Sequence, residues 1–120
     1  MAGLIDEEAL LERVAGDPEF LAHMVRIFVA DVPTRLDAVR TALGAADAQA
    51  MERAAHSLKG ALATMAATDA AADAFRLEKM GRAGTLADAA GVLVVLERRV
   101  GEVTAALEAL VRQVTGSDRG

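Results

Sequence analysis

The chain has 120 residues, a formal net charge of −5 and no cysteine; 53% of it is apolar but only 2% aromatic. The length fits one domain with a modest core, and the missing cysteines exclude a disulfide framework or a thiolate metal site. The acidic balance, without basic and aromatic residues clustered together, argues against nucleic-acid binding.

A core so short of rings must be built from Leu, Val, Met and Ala. Alanine is the best helix former, so the composition predicts an all-helical domain. Asp6 can cap a short first helix running to Ala15, with Glu7 and Glu8 at its positive end and Gly16 closing it. Asp17-Pro18-Glu19 then reads as cap, N1 proline and first-turn acid of a second helix. Phe20, Met24, Ile27 and Phe28 recur there at helical spacing; Pro33 predicts a kink or break, and Leu36, Val39 and Leu43 continue to Gly44. A third helix starts near Asp47, and a fourth starts at Thr68 or Asp69 and ends at Gly81. Thr85 is placed as the cap of the last helix, with Asp88 as its capping-box acid. Its seam, Leu86, Ala89, Leu93, Leu96, Val100, Val103, Leu107, Leu110 and Val114, steps by three and four residues.

Short connections make consecutive helices antiparallel neighbours. The expected fold is all-α: an up-down antiparallel four-helix bundle with a short additional N-terminal helix. A single domain spans 1–120, with its bundle over 17–114 and a frayed tail over 115–120. No apolar run approaches the roughly 20 residues of a membrane span. The N-terminus carries acids where a signal peptide carries positive charge. Both features point to a cytoplasmic protein with no membrane partner.

His56 stands out on the third helix. Met51, Ala55, Leu58, Leu62 and Met65 share one arc, centred about 140° from His56 at about 100° per residue, so the imidazole faces water. Lys59 and Gly60, at i+3 and i+4, are its surface neighbours. Glycine inside a helix costs about 1 kcal/mol relative to alanine, and this chain uses alanine freely elsewhere. An accessible ring, a cation beside it and cleared space suit a site that handles phosphate. His23 reads as a partly exposed bundle residue without a catalytic role, and Met51, Met65 and Met80 as core filler. Two distant histidines without HExxH or Glu-x-x-His spacing do not make a metal bundle. With no GxxxxGK[ST] loop or other glycine-rich nucleotide fingerprint, and too little chain for an ATP-binding domain beside the bundle, no autonomous kinase activity is expected.

The run His56-Ser57-Leu58-Lys59-Gly60 resembles the His-x-Leu-Lys-Gly motif of histidine-containing phosphotransfer (HPt) domains. The resemblance covers roughly residues 17–112, through "VADVPTRLDAV", "GAADAQAMERAAHSLKG", "RLEKMGRAG" and the long final helix. It implies that His56 is the phosphoacceptor, that Lys59 steadies the phosphoryl group and that Gly60 keeps the approach open. Ala63, on the His56 face, and the second helix are docking candidates. By the same resemblance Glu78, on the neighbouring helix, matches a polar residue that contacts the imidazole in some members, and it is expected to accept the Nδ1–H bond and leave Nε2 to attack; Arg82 and Arg53 are possible supports near the phosphate. The implied partners are a response-regulator receiver domain and a sensor or hybrid histidine kinase. No cofactor belongs to this chain, Mg²⁺ being expected on the receiver, and the chain is expected to be monomeric. The rival reading is a non-catalytic helical adaptor that docks receiver or kinase domains without being phosphorylated. Two positions depart from the family pattern: Ala61 stands where serine is common, and Ala66 where glycine is common.

Overall fold

A computed structural model describes residues 4–116 and contains five helices: α1 (Glu7–Arg13), α2 (Pro18–Gly44), α3 (Ala48–Thr64), α4 (Thr68–Ala83) and α5 (Ala89–Thr115). Each of the first three begins where an aspartate caps it. The side chains of Asp6, Asp17 and Asp47 accept from the backbone N–H groups of Ala9, of Glu19 and Phe20, and of Ala50. α2 to α5 pack as a closed ring of neighbours, α2 on α3, α3 on α4, α4 on α5 and α5 on α2. Joined by short turns, they form the antiparallel bundle expected.

The helices are unequal, and that gives α1 its place. α2 and α5 have 27 residues each, about 40 Å, whereas α3 and α4 have 17 and 16, about 25 Å. α1 lies at the end where the α3–α4 turn stops short. Its Arg13 donates to the carbonyls of Ala63 and Thr64 at 2.6 and 2.8 Å, neutralising the negative end of α3. Asp6 N–H donates to the Ala66 carbonyl at 2.9 Å, and Leu10 and Val14 are buried.

α1 ends at Arg13, two residues before the expected Ala15, and later parts of the chain also differ from the sequence reading. Pro33 does not break α2, which continues through it with the proline on the exposed side while Phe28, Val32, Leu36 and Val39 hold the helix to the core. Of the four apolar residues placed at its start, only Phe28 is buried; Phe20 and Ile27 are exposed. α4 passes Gly81 to Ala83 and is closed by Gly84 at φ 73°. Gly81 is instead a packing contact, since a Cβ there would lie 2.5 Å from Glu52 N and 2.8 Å from the Ala48 carbonyl oxygen. Finally, α5 starts at Ala89, with Asp88 as a cap residue making no side-chain bond, so Thr85 does not cap it and Leu86 sits in the preceding turn. There Thr85 N–H closes α4 on the Met80 carbonyl, and Leu86 accepts from Ala89 N–H.

The rest of the α5 seam holds as far as Leu110: Ala89, Leu93, Leu96, Val100, Val103, Leu107 and Leu110 are buried, and Val114 is half-buried. α5 also takes in Thr115, the first residue of the expected tail, and Gly116 caps it; 117–120 lie outside the described residues. Met51 and Met65 are core, as read, and Met80 is half-buried. Ala66 adopts φ 57° and, with Ala67 N–H bonded to the Leu62 carbonyl, ends α3 in the left-handed turn that glycine makes without strain. The alanine there keeps the same helix end at a steric cost.

Candidate functional site

α3 buries Met51, Ala55, Leu58 and Leu62, and this phase turns His56 outward with 68% of its side chain exposed. The ring nevertheless has one fixed partner. Its Nδ1 lies 3.2 Å from Oε2 of Glu78, a residue of α4 that is only 3% exposed. α3 and α4 can come this close because Gly81 lets the α4 backbone reach Glu52 of α3.

Glu78 is the hub of the site. Lys59 Nζ stands 2.8 Å from its Oε1, and Arg82 Nη2 donates to its Oε2 at 2.9 Å. Arg82 also donates through Nε to Oε2 of Glu52, at 2.9 Å. The Lys59 ammonium, first, and the His56 ring hold the Glu78 carboxyl below its ordinary range, outweighing burial, which acts the other way. An ionised carboxylate can only accept hydrogen bonds. In the neutral form of the ring, a hydrogen bond to this carboxylate puts the proton on Nδ1 and the lone pair on Nε2.

The residues singled out from sequence fall into two groups. His56, Lys59, Glu78 and Arg82 form one connected cluster. Lys59 pairs with Glu78 and lies over Phe75, whose centroid is 4.6 Å from Nζ. Gly60 faces open space, where a Cβ would meet nothing within 4 Å, and Ala63 is exposed along the same ridge. Arg53 is exposed one turn before His56 and is not drawn into the cluster; His23 is exposed on α2. Ala61 faces α2, in an apolar groove of 250 Å³ with Met24, Ile27, Phe28 and Met65.

Three contributors have no role assigned from the sequence. Glu52 anchors Arg82 across the α3–α4 seam. Arg35 of α2 donates to Asp31 on its own helix and to the Ser57 hydroxyl beside the imidazole. Phe75, partly exposed, is bracketed by the ammonium groups of Lys59 and Lys79, a cation–π pair on one ring. The Glu52–Arg82, Arg35–Ser57 and Phe75–Lys59 pairings each join residues on different helices, so no local pattern announces them.

The family model for the Hpt domain matches residues 23–115. Among solved structures, the chain is similar to the crystal structure of histidine-containing phosphotransfer protein B from Pseudomonas aeruginosa PAO1. The two share 28% identity with a TM-score of 0.87, over 94% of this chain and 98% of that one. No curated protein matches the sequence.

Proposed function

The chain belongs to the Hpt domain family, whose members carry out histidine phosphotransfer in phosphorelays, and on that premise we propose that His56 is the residue that carries the phosphoryl group. The observation that supports this reading is the pairing of an exposed imidazole with a buried carboxylate at 3.2 Å. A neutral imidazole is already nucleophilic near pH 7, and Glu78 leaves Nε2 as the free nitrogen.

In the proposed step, Nε2 attacks the phosphorus of an aspartyl phosphate on a receiver domain. The Nε2–P bond forms as the P–O bond to the aspartate breaks, and the carboxylate leaves with the electron pair. No proton moves. The ring becomes a phosphoimidazolium whose Nδ1–H positive charge faces Glu78. Such a transfer depends on positioning and charge more than on covalent help. Lys59 supplies charge to the phosphoryl oxygens by letting go of Glu78, and the receiver, with its own Mg²⁺, supplies the rest. Gly60 and Ala63 leave room for the receiver, and the exposed apolar residues of α2 lie on the adjoining helix. The step is reversible, so the chain acts as a carrier between receivers, or between a receiver and a histidine kinase, as a cytoplasmic monomer.

The test is incubation with a receiver domain carrying labelled phosphate. The wild-type chain is expected to acquire acid-labile, alkali-stable label, and His56→Gln to acquire none. Label retained by that variant removes His56 from the role.

A further inference from the structure

The role of Lys59 raises a question about what it leaves behind. Glu78 is 3% exposed, and Lys59 is the cation on its Oε1. If the ammonium moves to the phosphoryl group, a buried carboxylate loses a counter-charge. Burial then pushes its pKa up, and a protonated Glu78 could donate to Nδ1 rather than accept from it. The imidazole would lose the tautomer that leaves Nε2 free.

We propose that Arg82, anchored by Glu52, is the positioning residue that keeps Glu78 aimed at Nδ1 of His56 while Lys59 is engaged elsewhere. Arg82 Nη2 bonds the same oxygen, Oε2, that faces the imidazole, and Arg82 Nε bonds Glu52, each at 2.9 Å. Glu52 lies one turn before His56 on α3, so the Glu52–Arg82–Glu78 chain bridges the two helices on either side of the ring. An arginine suits this position because its planar fork stays charged and serves two carboxylates at once. The same geometry argues against Arg82 as a direct phosphate ligand, since a phosphoryl group would have to compete with two carboxylates, one of them buried. This assignment deepens the reading of His56 as phosphoacceptor and rests on it for its kinetic consequence.

The two roles for Arg82 predict opposite signs for one substitution. If Arg82 works through Glu78, Glu52→Gln loosens it and slows transfer. If Arg82 is a phosphate ligand, Glu52→Gln frees it and speeds transfer. We expect Arg82→Gln to lower the transfer rate at saturating receiver about fivefold, the size of one lost hydrogen bond. Glu52→Gln should lower it about twofold, KM should be unchanged in both, and Arg82→Lys should recover part of the rate. In the unphosphorylated full chain carrying Lys59→Ala, which takes the ammonium off Glu78, ¹⁵N shifts of His56 should move from the Nδ1–H form toward the Nε2–H form when Arg82→Gln or Glu52→Gln is added. A faster Glu52→Gln, or ¹⁵N shifts in both double variants identical to those of Lys59→Ala alone, overturns the proposal. The failures are separable: a wild-type chain that accepts no phosphoryl group overturns the phosphoacceptor reading, whereas the tautomer measurement needs no phosphate.

Discussion

Glu78 keeps a charge inside the bundle because Lys59, Arg82 and the His56 ring converge on its two oxygens. Its carboxyl is held below the ordinary value of 4.5, so its contribution to stability has a definite sign. A depressed folded-state pKa means that the contribution is present above the unfolded pKa and is lost as pH falls through the folded one. Urea unfolding of wild type and Glu78→Gln at a series of pH values should therefore show a stability gap at pH 5.5 that closes toward pH 3. A gap that stays constant over this window would mean that Glu78 is not ionised in the fold. At this scale the sequence was informative about His56, whose outward direction follows from the apolar arc opposite it. It was less so for Lys59, placed beside the open ring by spacing alone, because its partner Glu78 comes from another helix 19 positions on.

Helix ends and contacts show where periodicity works and where it fails. The aspartate caps of α1, α2 and α3 are legible because a cap is a local hydrogen bond. Gly81 was misread as a helix end, since glycine ends helices more often than it opens a packing contact. Its actual use is the close passage of α4 over the α3 backbone near Glu52. Gly81→Ala should cost about 2 kcal/mol or more, because the new methyl meets backbone atoms that cannot rotate away. It should also slow transfer by separating Glu78 from His56. Thermal unfolding checks the first claim, and stability equal to wild type would refute the close-packing account. The spacing at the start of α2 predicts a helix but does not say which side faces the core. Phe20 and Ile27 are apolar on one side while Leu21, Val25 and Phe28 are apolar on another, and a helix apolar on two faces has no unique inward stripe.

Across the whole molecule, α4 is gripped on opposite flanks by two buried carboxylates. Glu78 ties it to α3, and Asp73, 2% exposed, ties it to α5 through Arg99 at 3.0 Å, with Arg76 at 3.7 Å. Only the first tie touches the imidazole. Asp73→Ala should lower the unfolding free energy by about 1–3 kcal/mol, a buried polar partner being lost, while the transfer rate per folded molecule stays at the wild-type value. A slowed rate in that variant would show that the α4–α5 tie also shapes the site. The sequence by itself determined the helical class, the helix count, the outward histidine and the motif that marks the family, because these follow from local propensity and from a period of about 3.6 residues. The resemblance offered Glu78 as the partner of the imidazole, and the two do meet; only the tertiary structure decided that Lys59 and Arg82 share that acid and why Gly81 has no side chain. Those facts depend on the rotation and separation of α3 and α4, which interhelical packing sets and no single helix encodes.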